Sequence, residues 1–418
     1  MKKLLFLICA LCCTALLPVS CSSFVAIERS EYASSDSAFI KYLKNENVPY
    51  TKNNHVDILN GAHVKFDSLL ADIEKAEHHI HLEYFNFRND SINKVLIGAL
   101  AKKAKEGVEV RAMFDAFGNM SNDRPLKKKD LEAIRAQGIE IIKFDPIVFP
   151  WINHAGSRDH RKIVVIDGKV GYTGGMNIAD RYVDGVRGGI WRDVHIRIEG
   201  EAVAMLQTVF VTDWAFVTDG ITLDKPRYFP ATTVENICPM QIATSGPDSP
   251  YASIKHSYFA AIGRAKRYIY ISTPYLMPDN SILTALTVAA LSGVDVRILI
   301  PVRGDNIVVA WAGYSYVDTL MEAGVKVYLY RKGFNHSKFI VIDDELCTVG
   351  SANLDYRSFN DDFEVQALIY ENSVAQELKG YFLDDLADSK LITPDERAQR
   401  SKWRKIMESL SRLLAPLF

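Results

Sequence analysis

Two stretches of the chain carry the same set of reactive side chains at the same spacing. Residues 160–177 read HRKIVVIDGKVGYTGGMN, and residues 336–353 read HSKFIVIDDELCTVGSAN. The shared positions are His160, Lys162, Asp167, Gly175 and Asn177 in the first stretch, and His336, Lys338, Asp343, Ser351 and Asn353 in the second. One such stretch would be a weak signal, whereas two matching stretches predict a functional site built from a repeated unit.

These residue types favour chemistry on a phosphate diester. A His and a Lys two positions apart on a strand point to the same face. Two such pairs would surround the non-bridging oxygens of the diester with two ammonium groups, and Asn177 and Asn353 would add hydrogen-bond donors. One imidazole can then attack phosphorus while the other protonates the leaving alkoxide and later deprotonates the incoming alcohol or water. The lysine charges disfavour a metal ion here, and the chemistry needs no metal and no cofactor.

Each histidine needs a partner for its second ring nitrogen, and two downstream carboxylates are candidates. Asp193 lies in IWRDVHIRIEG and Glu364 in NDDFEVQALIY, each on a strand-like stretch that follows one of the motifs. Asp167 and Asp343 are grouped with the catalytic candidates as members of the motif. Their position at the end of a strand, however, favours backbone hydrogen bonds that brace a turn over contact with substrate. Gly175 and Ser351 are grouped with the two asparagines as substrate-binding candidates.

The motifs lie on a duplicated framework of alternating helices and strands. Residues 73–80 match 262–269, residues 99–115 match 289–301, and residues 136–144 match 322–330. Each half reads as helix, strand, helix, strand, helix, strand and then the His motif, which predicts layered α/β halves with mixed sheets. We expect a first repeat over 60–215, a connector over 219–250 and a second repeat over 251–388.

The first half carries ten extra residues between Phe144 and His160. This insertion contains His154 and is apolar, so it would either contact lipid at the mouth of the site or form a packed loop. Because it precedes only one of the two histidines, it is also a candidate source of asymmetry between them.

Both ends of the chain have the composition of membrane-associated segments. Residues 1–20 combine two lysines with an apolar run and predict a signal peptide or an N-terminal anchor. Cys21 follows as in a lipoprotein signal, and a plain signal peptide is the alternative. In the tail (395–418), apolar residues form one helical stripe among basic ones, which predicts a helix that lies on anionic lipid or packs against the body.

The remaining composition excludes several other kinds of protein. The net charge of -2 and the pI of about 6.6 argue against a general nucleic-acid-binding protein. Past the leader, no apolar stretch approaches the length of a membrane span. The sequence HHIH at 78–81 aligns with ordinary strand residues of the second half and predicts structural histidines rather than a metal site. Cys238 and Cys347 read as packing residues.

The paired motifs resemble the HKD signatures of the phospholipase D superfamily, in which two halves form one pseudo-twofold active site. GGMNIADRY (174–182), WRD (191–193), GSANLDYRSFNDDFE (350–364) and the C-terminal RLLAPLF resemble the bacterial cardiolipin synthase branch. The resemblance covers roughly residues 60 to 418. It implies two pseudo-symmetric halves with the active site at their interface, His160 as nucleophile and His336 as general acid and base.

The resemblance also implies transphosphatidylation. One phosphatidylglycerol would yield a phosphatidyl-enzyme, and a second would resolve it to cardiolipin and glycerol. The expected partners are phospholipids and a membrane surface, without nucleic acid, and the expected location is the bacterial cell membrane. A hydrolytic phospholipase D and a phosphodiesterase nuclease are the alternatives. The chain departs from the family in reading SRDH before the first motif and in lacking two membrane-spanning helices at its start.

Overall fold

Fifteen strands of the described residues form one continuous sheet in this computed structural model. The structure describes residues 38–145, 156–186, 189–218, 220–221, 224–231 and 234–417. The leader (1–20), Cys21 and His154 with most of the insertion lie outside these ranges. The span Ala38–Phe418 forms a compact unit by itself.

The first half places a helix before or after nearly every strand. Its strands are β1 (Tyr50–Asn60), β2 (His79–Tyr84), β3 (Glu109–Asp115), β4 (Glu140–Phe144), β5 (Lys162–Ile166), β6 (Val170–Gly174), β7 (Ile190–Arg192) and β8 (Val194–Gly200). Its helices are α1 (Ala38–Asn45), α2 (Ala62–Lys75), α3 (Ser91–Lys105), α4 (Ala116–Met120), α5 (Lys128–Arg135), α6 (Asp180–Asp184), α7 (Val203–Val217) and α8 (Lys225–Tyr228).

The second half repeats this order and then adds a C-terminal extension. Its strands are β9 (Ile237–Ser245), β10 (Tyr268–Ser272), β11 (Asp295–Pro301), β12 (Lys326–Tyr330), β13 (Gly333–Asn335), β14 (Phe339–Ile342), β15 (Leu346–Gly350), β16 (Glu364–Ile369) and β17 (Ser389–Leu391). Its helices are α9 (Ser253–Ile262), α10 (Asn280–Leu291), α11 (Ile307–Glu322), α12 (Tyr356–Asn360), α13 (Asn372–Ala387), α14 (Pro394–Ala398), α15 (Lys402–Leu413) and a 3₁₀ turn (Ala415–Leu417).

The strand order of the large sheet is nearly symmetric about its centre. It runs β17-β12-β11-β10-β14-β15-β16-β9-β1-β8-β6-β5-β2-β3-β4. Two equivalent sets of seven strands meet where β9 pairs with β1, one set running from β9 to β12 and the other from β1 to β4, and β17 is an additional edge strand next to β12. Within each set, three strands are parallel to one another and the others are antiparallel. The predicted α/β class with mixed sheets and two pseudo-symmetric halves is therefore confirmed.

The central junction falls outside the halves that we drew from the sequence. Strand β9 (Ile237–Ser245) lies inside the expected connector (219–250), and β1 (Tyr50–Asn60) precedes the expected start at residue 60. These strands were not predicted from the sequence, because β1 contains a run of polar residues and β9 follows a Pro- and Thr-rich segment. Each of the two is nonetheless a central strand, because β1 pairs with β8 and β9 pairs with β16.

One apolar core is shared by both halves. It contains Val203 and Leu206 of α7 together with Leu378 and Phe382 of α13, packed on strands from both sides of the junction. The opposite faces bury separate clusters, one for each half. Because α7 and α13 pack in a common core, burial of apolar surface fixes the position of one half relative to the other.

The two motif aspartates brace turns at the far end of the motif strands. Asp167 accepts hydrogen bonds from the backbone N–H groups of Glu77 (2.8 Å), His78 (2.7 Å) and His79 (2.9 Å). Asp343 accepts three equivalent bonds from residues 266–268, at 2.6, 2.8 and 2.8 Å. Both aspartates have φ 54, a conformation that Asp tolerates better than most residues.

These contacts correct the grouping of Asp167 and Asp343 with the catalytic residues. Strand β5 separates Asp167 from Lys162, and Ile166 pairs with the start of β2 while Lys162 pairs with its end. A five-residue strand is about 16 Å long, which is beyond the reach of a carboxylate. Their role is to hold the turn that ends each motif strand.

Replacing Asp167 with Asn is expected to lower the free energy of unfolding by about 2 kcal/mol, because a neutral amide oxygen accepts backbone hydrogen bonds less strongly than a carboxylate. Denaturation followed by circular dichroism measures this change. Asp67→Asn, at an exposed position of α2, is the matched control and should change stability by less than about 0.5 kcal/mol. A stable Asp167→Asn protein that has lost its activity would contradict the turn-bracing role.

Candidate active site

Each motif histidine is attached to the opposite half by its own backbone. The N–H of His160 donates to the carbonyl of Phe363 (2.9 Å), and the N–H of His336 donates to the carbonyl of Arg192 (2.7 Å). In the second case the contact continues β7 and β13, which pair in parallel as a separate two-stranded sheet. Phe363 and Arg192 directly precede the two candidate carboxylates. These backbone hydrogen bonds therefore place each histidine next to the carboxylate of the other half.

The side chains complete this exchange. His160 Nδ1 lies 2.9 Å from Glu364 Oε1, and His336 Nδ1 lies 2.7 Å from Asp193 Oδ2. The sequence identified both carboxylates, and the structure shows that each one contacts the histidine of the other repeat. In both pairs Nδ1 faces the carboxylate, which leaves Nε2 for a substrate.

The two lysines lie beside the histidines that they accompany in sequence. Lys162 Nζ donates to the carbonyl of His160, and Lys338 Nζ lies 2.5 Å from the carbonyl of His336 and 2.9 Å from its Nδ1. Burial lowers the pKa of Lys162 to about 8 and that of Lys338 to about 7. An anion bound between them would favour their charged forms, so binding a phosphate diester is coupled to keeping both lysines protonated.

The histidines and carboxylates are shifted by the same burial. Burial, and then the charge of the neighbouring lysine, holds the pKa of His160 and of His336 well below the ordinary value. Burial raises the pKa of Asp193 to about 7 and also raises that of Glu364. Without substrate, both imidazoles are neutral near pH 7, which is the protonation state a nucleophile needs.

Gly175 and Ser351, which the sequence analysis grouped with the substrate-binding residues, contact the two carboxylates. A Cβ at Gly175 would lie 2.2 Å from Asp193 Oδ1, so the glycine makes room for this carboxylate. At the equivalent position Ser351 Oγ donates to Glu364, and Ser358 Oγ donates to the same carboxylate at 2.7 Å. Ser358 was missed in the sequence because nothing in its spacing links it to the motif. Gly175 and Ser351 therefore position the two carboxylates, and a direct contact of either residue with substrate stays a prediction.

Asn177 and Asn353 are buried beside the site. Asn177 Nδ2 donates to the hydroxyl of Tyr182 (3.1 Å), whose ring lies 5.9 Å from that of His336. Among the described residues, the side-chain oxygens of both asparagines have no hydrogen-bond partner. Phe85, 5.2 Å from His160, and Trp191, 5.7 Å from His336, form apolar walls.

A second difference between the halves lies directly before each histidine. Asn335 donates to Ser272 (2.8 Å) and accepts the N–H of Ser337 (3.1 Å). The equivalent Asp159 accepts the N–H of Arg161 (3.0 Å) and faces Glu83 in place of a serine. A neutral pair in one half is thus replaced by a pair of carboxyl groups in the other.

The carboxyl groups of Asp159 and Glu83 together carry little negative charge near neutral pH. Burial and then the charge of Asp213 raise the pKa of Asp159 to about 8, and burial and then Asp159 raise that of Glu83 well above its ordinary value. Arg161 forms a buried ion pair with Asp213. In the sequence this difference is visible only as SRDH before the first motif. The second carboxyl group belongs to Glu83, which lies outside the motif and was not identified from the sequence.

His79, His81 and the two cysteines outside the leader occupy buried positions. His79 and His81 are buried and joined through Gln207, each 2.9 Å from it. Within the described ranges, no group of three or more His, Cys, Asp or Glu side chains is arranged to hold a metal ion. Cys238 and Cys347 are buried thiols. No helix in that part of the chain combines the length and apolar character that crossing a membrane requires.

Duplicated halves that exchange histidine–carboxylate pairs define a protein of the phospholipase D class. The family described as cardiolipin synthase, PLD-like domain, matches residues 69–214 and 258–386. The chain is 44% identical over 392 residues to the major cardiolipin synthase ClsA of Bacillus subtilis (strain 168), covering 93% of this chain and 80% of that protein. It therefore belongs to the cardiolipin synthase family of phosphatidyltransferases.

A further relative supports this assignment, and a solved structure supports the fold. A cardiolipin synthase of Listeria welshimeri is 42% identical over 401 residues, covering 94% of this chain and 82% of that protein. Among solved structures, phosphatidylserine synthase of Haemophilus influenzae matches with a TM-score of 0.69 at 13% identity, covering 91% of this chain and 100% of that one. This last likeness supports the fold alone.

Replacing Gly175 with Ala is expected to lower kcat about 10- to 100-fold, the range typical when the group that orients a reacting residue is disturbed. The added methyl group displaces Asp193 and, with it, His336. Gly98→Ala in α3 is the matched control, because a Cβ there meets nothing within 4 Å. Circular dichroism checks the fold of both proteins. Full activity of Gly175→Ala would show that Asp193 does not depend on this space.

Proposed function

We propose that the protein transfers a phosphatidyl group between two phosphatidylglycerol molecules through a phosphohistidine, which yields cardiolipin and glycerol. The observation that carries this proposal is the exchange of carboxylates, since it presents two oriented imidazoles and two lysines to a single site. The family assignment supports phospholipid as the substrate class. The roles of individual residues follow from their contacts.

In the first step His160 acts as the nucleophile. Its Nδ1 faces Glu364, so its Nε2 forms the bond to phosphorus while the bond from phosphorus to the glycerol oxygen breaks. His336 gives its proton to that oxygen as glycerol leaves. The negative charge of the bound diester raises the pKa of His336, and Asp193 stabilises the imidazolium. Glu364 stabilises the positive charge that develops on His160.

The second step reverses the proton transfer. His336 takes the proton from a hydroxyl of the second phosphatidylglycerol, whose oxygen then forms the bond to phosphorus. The bond to His160 breaks, and cardiolipin leaves. Lys162 and Lys338 neutralise the non-bridging oxygens in both steps, with Asn177 and Asn353 as further neutral contacts. The phosphorus chemistry proposed here uses side chains of this chain alone.

The surroundings of the site suit a lipid. The carboxyl ends of β3 and β11 lie at the edge of the sheet that carries Lys162 and Lys338. Exposed apolar side chains follow these strand ends or precede Asp193, namely Phe117, Met120, Ile190, Val302 and Ile307. Such a rim supports approach to a bilayer surface. We also propose that the leader (1–20) brings the chain to the membrane, as a plain signal peptide, an N-terminal anchor or a lipoprotein signal that leads to lipidation of Cys21.

A hydrolytic phospholipase D is the second candidate, because water could replace the lipid hydroxyl in the second step. A nuclease is disfavoured by the net charge of -2 and by the apolar rim. The identity of the product separates the first two. Labelled phosphatidylglycerol should give cardiolipin and glycerol, whereas phosphatidic acid alone would contradict the synthase and support the hydrolase.

The two histidine roles can be separated with a phosphatidyl ester of p-nitrophenol, whose leaving group needs no proton. His336→Ala should release a burst of nitrophenol equal to the enzyme concentration and then stop, because the phosphohistidine forms but is not resolved. His160→Ala should release none. A burst from His160→Ala, or its absence from both variants, would contradict the assignment of His160 as the nucleophile.

A further inference from the structure

Helix α15 presents apolar side chains to solvent and buries polar ones. The four apolar residues at positions i, i+3, i+7 and i+10 are strongly exposed, and they are Trp403 (67%), Ile406 (49%), Leu410 (52%) and Leu413 (76%). This spacing places them on one helix face, here called the outer stripe. On the face against the body, Glu408 and Ser411 are 2% and 3% exposed. A helix that served only to cover the body would show the reverse arrangement.

The inward face is held by ion pairs. Glu408 accepts from Arg397 (3.0 Å), from Arg404 (2.7 Å) and from Arg400. Arg397 and Arg400 also bind Asp318 of α11. Rolling α15 to bury the outer stripe would separate Glu408 from Arg397 and Arg400 and would remove one of the two carboxylate partners of the buried Arg397, which is unfavourable. The outward orientation of the stripe is therefore a fixed property of the fold.

The end of the helix extends the stripe towards the active site. Leu414 and Leu417 are exposed, whereas Ala415 is fully buried. The 3₁₀ turn Ala415–Leu417 contacts α12 (Tyr356–Asn360), which carries Ser358. Ser358 donates to Glu364, the partner of His160. Two elements, the 3₁₀ turn and α12, thus connect the outer stripe to the group that orients the nucleophile.

Basic side chains border the stripe on one flank. Lys402 and Lys405 are exposed, and neither forms an ion pair with a described residue. The carboxylate of this helix, Glu408, faces the body. Anionic headgroups would complement this flank, whereas a second copy of the chain would bring like charges together around the same stripe.

We propose that the outer stripe of α15 inserts into the surface of an anionic phospholipid bilayer and holds the body there with its active site next to the lipid. The proposal rests on the proposed function for the class of substrate, and it adds the surface by which the body reaches that substrate. It concerns the described body and operates whether or not the leader also attaches the chain.

Trp403 provides a local reporter. The full chain carrying His160→Ala, which removes turnover, is mixed with phosphatidylglycerol vesicles whose acyl chains are either brominated or unmodified. The difference between this protein and one that also carries Trp403→Phe isolates the emission of Trp403 from that of the other tryptophans. We expect brominated chains to quench most of the Trp403 emission, because bromine quenches only tryptophans that contact the acyl region.

Leu413→Glu should abolish this quenching. Leu291→Glu is the matched control, since Leu291 is 70% exposed at the end of α10 and away from the stripe; quenching should persist there. Unquenched Trp403 in protein that sediments with the vesicles would overturn the proposal. A dimer that Leu413→Glu disrupts in sedimentation velocity would instead identify a second copy as the occupant. Because the His160→Ala background is inactive, neither result depends on whether the proposed reaction occurs.

Discussion

The interaction on which the site depends is the hydrogen bond from each histidine to a carboxylate of the other half. A histidine that lacked its partner would lose both its orientation and the charge that stabilises its imidazolium. The pairs His160–Glu364 and His336–Asp193 exist only when the two halves are docked. The junction of β1 with β9 and the core shared by α7 and α13 are therefore requirements of the chemistry as well as of stability. Neither half contains a complete site.

The same exchange allows two copies of one motif to perform different tasks. Glu364 is held by two serine hydroxyls, whereas Asp193 is shorter and sits against a glycine. Before the motifs, Asp159 and Glu83 stand where the other half has Asn335 and Ser272. Differences of this kind change the hydrogen bonding around each histidine–carboxylate pair. A nucleophile and a general acid can thus be derived from one duplicated strand.

The sequence predicted much of this fold because the repeats preserve the spacing of helices, strands and reactive residues. It could not predict the exchange of carboxylates, since His160 and Glu364 lie 204 positions apart and His336 and Asp193 lie 143 apart. Strands β1 and β9 were missed because the polar run in β1 and the Pro- and Thr-rich flank of β9 obscured the apolar residues that both strands place in the shared core. Asp167 and Asp343, in contrast, are close to the histidines in sequence but distant from them in the structure. They share the motif with the histidines, but the length of the strand places them out of reach of the site.

The pattern of the C-terminal helix allowed two positions, on a lipid surface or against the body. The structure shows that its polar face packs against the body and that its apolar stripe is exposed. Its stripe was visible in the sequence, but the spacing of apolar residues does not say which face meets the body. The ion pairs around Glu408 decide this, and they involve residues that a hydropathy pattern does not weigh.

Each half orients the histidine of the other half by holding its Nδ1 against a carboxylate. Nitrogen-15 chemical shifts of the histidine side chains measure this interaction, because they report the tautomer and hydrogen bonding of each ring. Asp193→Asn should shift the signals of His336 and leave those of His160 unchanged, and Glu364→Gln should do the opposite. Signals of His160 that respond to Asp193→Asn, while those of His336 do not, would contradict the account.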